Sequence, residues 1–355
     1  MTDNSRWLTD NADAPIRYVL NGGAEDGARL AQNDGAAAWL SRLAERSLAD
    51  RIGAVHGSHD YRMENILGKC WILGFDKNIP AFAENIGFIP RFLNGHIESG
   101  PPGEPGFGRI YHYRDYEKVL CYFLPLLKFY GAPSVLYIAR ERIERLYAFT
   151  SRKRYDIYID GSKLAGVKKE WRPYVIDPDL YADGHIALPD AHDFILFAGL
   201  IPYLSEDEKN KVETITGWLF GEGYDKIIRR YGYFYAPGGS YSAKAVTFKL
   251  HLPELYGNVL DNNELASLII NAFILSHFET ARSSAWFASA LAFLERYKNE
   301  NGRYNFPPGM ITEKPDSYVI FGGHMNPGEN KKSKLYNEIV STYWAERIRR
   351  NIERV

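Results

Sequence analysis

The stretch Phe293-Leu294-Glu295-Arg296-Tyr297-Lys298-Asn299-Glu300-Asn301-Gly302-Arg303-Tyr304 decides how the chain folds. Trp286, Ala290, Phe293, Leu294 and Tyr297 recur at helical spacing, so a helix entering this stretch buries one side. Gly302 ends it, because glycine enters the left-handed region without steric penalty. Tyr304 and Phe306 then fold back as apolar plugs on the helix they follow.

The same periodicity recurs upstream and downstream. It predicts helices over residues 35–49, 61–73, 81–93, 116–130, 134–150, 189–204, 205–220, 264–276, 281–298 and 338–353. Pro80 opens the third of these and Asn94-Gly95 closes it; Gly74 stops the second. Ser205 with Glu208 forms a capping box. Short turns join the helices in antiparallel pairs, which stack into an open solenoid or close into a ring. Three stretches interrupt the pattern. Residues 98–107 form a proline- and glycine-rich loop. Residues 155–160 read as a strand entering a turn at Gly161, with 167–175 as its partner. Residues 231–253 are strand-like and glycine-containing. The expected fold is therefore mainly all-α, one domain over 1–355, with short β-like excursions near 155–175 and 231–253.

Composition sets the class. The 355 residues carry 45% hydrophobic and 25% charged side chains and a formal net charge of −1, so neither nucleic acid nor an anionic membrane is an expected partner. No apolar run is long enough to span a bilayer, and the N-terminus lacks the basic and apolar regions of a signal peptide. The two cysteines, Cys70 and Cys121, sit in apolar helical contexts and read as buried free thiols, pointing to the cytoplasm. Aromatics reach 14%, with 25 tyrosines, which suits either an aromatic-lined cavity or a large core with half-buried helix faces.

Residues 293–304 resemble the QW repeat of squalene–hopene cyclases and related α/α toroids. Phe293-Leu294 stand for its aromatic–leucine pair and Gly302 for its glycine. Lys298 replaces the glutamine and Tyr304 the tryptophan. Ser341-Thr342-Tyr343-Trp344 resembles the aromatic-rich closing helix of such toroids. The resemblance implies an α/α toroid of the terpenoid-cyclase and prenyltransferase type with a central cavity. It does not carry the chemistry over, because the Asp-x-Asp-Asp and Asp-Asp-x-x-Asp motifs are absent and the zinc ligands of protein prenyltransferases have no matching positions.

Two polar clusters carry the candidate chemistry. His56, Ser58, His59, Asp60 and Glu64 lie just before or at a helix start, where carboxylates beside imidazoles suit proton transfer. The bland reading makes Ser58 and Asp60 helix caps. A metal set from His56, His59 and Glu64 lacks any established ligand spacing, so no metal or other cofactor is expected. Asp190, His192 and Asp193 open a second helix, with Asp190 as its cap. Asp60 and Asp193, partnered by His59 and His192, are the expected catalytic groups. His56, Glu64, Asp190, Tyr233, Tyr235, Tyr241 and His324 are the expected substrate contacts. Residues 329–334 read as a solvated loop.

The expected activity is non-redox acid–base chemistry of cyclase, lyase or isomerase type on a small, partly apolar substrate, an isoprenoid by analogy. A carbohydrate-active α/α barrel and a non-catalytic binding or scaffold protein are the alternatives.

Overall fold

The computed structural model describes residues 2–44, 55–99, 118–181, 186–224, 227, 231–236, 240–245, 260 and 262–353. It is mainly helical, at 61% helix with few strands. Three helices form its interior. Every residue of Met63–Ile72 is buried, as is every residue but Gly199 of Ala191–Leu200, and Asn262–Leu275 is buried from Ser267 onward. Helices with no solvent face belong inside a fold. Met63–Ile72 nevertheless carries Glu64, Asn65 and Lys69, each of which needs a partner. Lys69 finds Glu313 at 2.8 Å and the Asn326 carbonyl at 2.7 Å.

The helical expectations hold in outline and fail at the joints. Three short helices, Asp3–Asn11, Ala14–Asn21 and Ala24–Gln32, precede the first one read from the sequence. Helix 35–49 is observed as Asp34–Ala44, and its last residues lie outside the described residues. Helix 81–93 divides at Gly87 into Pro80–Ile86 and Phe88–Ser99, so Asn94-Gly95 does not end it. Of 116–130, residues 118–121 are helical and 122–128 form turns around Pro125, while 116 and 117 lie outside the described residues. Helix 281–298 divides into Glu279–Arg282 and Ala285–Glu295. Loop 98–107 lies outside the described residues beyond Ser99, which ends a helix. The capping box of Ser205 and Glu208 opens Glu206–Trp218 as read.

Residues 285–306 form the expected helix, turn and fold-back. Gly302 takes φ +76°, and the chain returns so that Lys298 bridges Tyr304. Tyr304 and Phe306 are 8% and 1% exposed. Their amides donate to Thr342 Oγ1 at 3.0 Å and Ser341 Oγ at 2.9 Å, which ties the turn to the Tyr336–Glu353 helix. The buried face of Ala285–Glu295 is Phe287, Ala290 and Leu294, whereas Trp286, Phe293 and Tyr297 are only half-buried. The closing helix also meets the first one. Thr2 Oγ1 donates to Glu346 at 3.0 Å, and Arg350 donates to Ser5 Oγ at 2.9 Å. Burial alone would raise the Glu346 carboxyl, but bonds from Arg349, Ser5 and Thr2 hold it at about 2.

Both β excursions contain strands. β1 (Tyr158–Ile159) pairs antiparallel with β2 (Val175–Ile176), as the sequence implied, although Lys169–Tyr174 is a 3₁₀ helix rather than strand. β2 runs parallel to β3 (Tyr231–Ala236), which forms a hairpin with β4 (Ser240–Ala245). Residues 246–253 lie outside the described residues. Cys70 and Cys121 are buried thiols, not joined in a disulfide. Among the described residues no helix is long and apolar enough to cross a membrane.

The 329–334 run is not wholly solvated, because Glu329 is buried. It accepts from the Asp13 amide at 2.9 Å, and burial pushes its carboxyl up to about 7. A carboxyl raised above its unfolded value stabilises the fold below the unfolded value and loses that contribution as pH rises through 7. Glu329→Gln keeps an acceptor for Asp13 without the charge. It is expected to raise Tm at pH 8, with the gap over wild type closing by pH 5 in thermal melts. An equal gap at both pH values would contradict this.

Candidate functional site

The first turns of two interior helices face each other across the fold. Asp190 caps Ala191–Leu200, accepting from the His192 and Asp193 amides, and Asp193 returns the bond to the Asp190 amide at 3.0 Å. That capping box leaves Asp193 wholly buried. Arg142, from the Pro133–Thr150 helix, neutralises it through two 2.8 Å hydrogen bonds. Lys118 pairs with Asp190. Both aspartates are therefore matched by buried cations.

Glu64 lies opposite, in the first turn of Met63–Ile72, and is 1% exposed. His192 Nε2 stands 3.0 Å from Glu64 Oε1 and His56 Nδ1 stands 2.6 Å from Oε2, with the Gly57 amide at 3.3 Å. Burial alone would raise the Glu64 carboxyl, but the bonds to His192 and His56 outweigh it and hold it at about 2. Burial alone would lower His192, but the Asp190 and Glu64 carboxylates carry it up to about 9. Tyr122 packs edge-on to His192 with ring centroids 4.5 Å apart, and its buried hydroxyl faces Glu64 without a well-aligned hydrogen bond. His56 is different, since its side chain is 41% exposed. With Nδ1 on Glu64, its Nε2 is the outer nitrogen. Asn65 fixes the loop that carries His56, donating to the Ser58 carbonyl at 2.6 Å and accepting from the Val319 amide at 3.3 Å. Tyr318 lies beside the His56 ring at 5.9 Å.

The other expected residues lie elsewhere. Asp60 precedes the helix and does not cap it; Arg62 occupies the cap position without a side-chain bond. Asp60 meets His324 at 3.1 Å and Arg42 at 3.4 Å, and its carboxylate accepts from the Asp316 amide while its own amide donates to the Asp316 carboxylate. His59 stacks on Tyr61 and pairs with Asp316 at 3.2 Å. His324 is not an accessible substrate contact. It is 2% exposed, wedged between Asp60 and Glu313 with its ring edge-on to Trp39. Asp60 and Asp193 thus belong to separate networks with no shared partner among the described residues. Tyr233 stacks on Trp171, and Tyr235 pairs in the hairpin with Tyr241, whose side chain lies outside the description. None of their described bonds reaches the Glu64 cluster.

Sequence reading missed Lys118, Tyr122 and Arg142. A lysine heading the apolar run 118–127 was the available signal, since an unpaired buried ammonium is not tolerated.

A groove of about 1210 Å³ lies apart from this cluster, lined among others by Tyr155, Asp156, Tyr158, Glu213 and Trp218. Two of its lining residues are committed to structure. Glu213 accepts from the Glu279 and Thr280 amides at 2.9 and 2.8 Å, and Tyr155 stacks on Trp218.

Comparison with protein-family profiles, with curated proteins and with solved structures gives no match. The chemistry must be argued from the residues themselves.

Proposed function

We propose that the chain is an enzyme of non-redox acid–base chemistry whose working site is the His56–Glu64–His192 cluster. One observation carries the reading. A buried, ionised carboxylate fixes the inner nitrogen of a half-exposed imidazole, with His56 Nδ1 2.6 Å from Glu64 and the ring 41% exposed on its side chain. In this arrangement the carboxylate orients the ring, and the outer nitrogen is placed to accept or deliver a proton. His192 supplies buried counter-charge. Tyr318, beside His56, offers an aromatic wall to a partly apolar substrate.

The proton-handling role therefore moves from Asp60 and Asp193 to His56 and Glu64. Asp193 is consumed by Arg142, and Asp60 by Arg42 and His324. A scaffold protein would have every ionisable group so consumed; the outer nitrogen of His56 has no hydrogen bond among the described residues. The carbohydrate reading would place the site in the groove beside Tyr155, where one of the lining carboxylates, Glu213, is already bonded to two amides. We also propose that the helices close into an α/α toroid. The first and last helices pack on each other through Thr2, Ser5 and Glu346, as a closed array of helix pairs requires.

The test compares wild type with His56→Ala on a panel of isoprenoid substrates and oligosaccharides, with products read by mass spectrometry. Wild-type turnover of an isoprenoid, reduced at least ~100-fold in His56→Ala at unchanged Tm, is expected. Absence of wild-type turnover across the panel, or full activity in the variant, would overturn the reading.

A further inference from the structure

Charge balance singles out Glu64. Of the three buried carboxylates here, Asp190 has Lys118 and Asp193 has Arg142. Glu64 has no lysine or arginine among the described residues, only two imidazoles. A buried carboxylate facing imidazole nitrogens is a cation site, filled by protons or by a metal ion.

The donor geometry fits an ion. His56 Nδ1, a Glu64 oxygen and His192 Nε2 all lie within 4.8 Å of one another. Ligands ~2.0–2.2 Å from one ion stand roughly 3–3.5 Å apart, so small side-chain adjustments suffice. Two further observations point the same way. Asp190 Oδ1 stands 3.3 Å from His192 Nδ1, which is buried and lacks a well-aligned hydrogen bond. Metal on Nε2 places the ring proton on Nδ1, facing that carboxylate, the outer partner that metal-bound histidines recurrently have. The buried Tyr122 hydroxyl lies beside the same ring and faces Glu64 without a well-aligned bond, where a water on the ion would satisfy it. The exposed side of His56 gives access to the open position.

We propose that His56 Nδ1, Glu64 and His192 Nε2 bind one divalent first-row transition-metal ion, zinc in preference, with Asp190 as the outer partner of His192 and Tyr122 facing an ion-bound water. Two imidazoles and one glutamate, with one position left to water, is a catalytic rather than a structural zinc set. The catalytic meaning of the site rests on the reading above; the binding claim does not. With the ion in place, these three residues would hold it and a bound water would be available for proton transfer beside the outer nitrogen of His56.

The experiment uses the full chain, stripped with a chelator and titrated with zinc or cobalt(II). One equivalent of zinc by elemental analysis, and a visible cobalt(II) d–d spectrum displaced by zinc, are expected. His56→Ala is suited to the test because the loop residue is half-exposed and its loss should leave the fold intact. It should weaken binding at least ~10–100-fold. His59→Ala, which removes an exposed imidazole outside the set, should bind as wild type does. Folded wild type that takes up no ion, or His56→Ala that binds equally well, overturns the proposal. If no ion binds yet His56→Ala abolishes turnover, the metal proposal alone falls. If the ion binds at these residues and turnover survives His56→Ala, the functional reading alone falls.

Discussion

Replacing Arg142 by methionine is expected to remove about 3–5 kcal/mol of folding stability, read from urea unfolding. Its guanidinium makes both side-chain bonds to Asp193 at 2.8 Å and spends further donors on the Ile186 and Leu188 carbonyls. Methionine fills similar space but leaves the wholly buried Asp193 charged, with only the Asp190 amide as donor. An orphaned buried anion costs far more than an absent ion pair. Against a total stability of ~5–15 kcal/mol this is a large fraction. The double variant Arg142→Met with Asp193→Asn removes the charge and keeps an acceptor for the Asp190 amide, so it should recover at least about half of the loss. A single variant within ~1 kcal/mol of wild type would show that Asp193 bears burial unpaired, and would sink the account of this network. The same arginine pins residues 186–188, which lead into Asp190 and His192. Cobalt(II) affinity should therefore fall in the single variant and partly return in the double.

What the sequence revealed follows from the range of each interaction. Helix periodicity and capping are local, so Met63–Ile72, Pro133–Thr150 and Glu206–Trp218 were legible almost to the residue. The breaks at Gly87 and Ser283 were missed although each has a local mark, Pro90 in the first turn of the helix after Gly87 and the Ser284 cap after Ser283. A proline or serine near a helix start fits a continuous helix with a kink as well as two helices. The short N-terminal helices were missed because, at eight or nine residues each, they offer only about two turns of pattern, although each is amphipathic.

The site was legible as residue types and illegible as roles. His56, Glu64, Asp190 and His192 stood out as local clusters, and the structure brings these four together. Roles depend on partners far away in sequence. His192 is 128 residues from Glu64, and Arg142 is 51 from Asp193. Read locally, Asp193 is a free carboxylate at a helix start. Only the fold supplies the arginine that commits it, and only the fold sets Glu64 between two imidazoles with no lysine or arginine beside it among the described residues.

Trp344→Ala is expected to cost about 3–5 kcal/mol, as large-to-small changes at fully buried aromatics do. Trp344 is wholly buried. Its ring lies 6.4 Å from Trp71 and 5.9 Å from Phe273, so it joins the closing helix to two of the three interior helices. Its indole also donates to the Met325 carbonyl at 2.9 Å, and alanine leaves that acceptor unpaired. Trp344→Phe keeps most of the ring and should cost clearly less, which separates lost packing from a failure to fold. The shape of the transition carries the deeper point. The Tyr336–Glu353 helix holds the residue 302–306 turn through Ser341 and Thr342, and the first helix through Glu346. If it closes the helical array, Trp344→Ala must lower the stability of the whole, and unfolding must stay a single transition by circular dichroism and tryptophan fluorescence. An early, separate loss of the C-terminal helix, with the Glu64 cluster still binding cobalt(II), would mean that the helix is an appendage and that the array does not close through it.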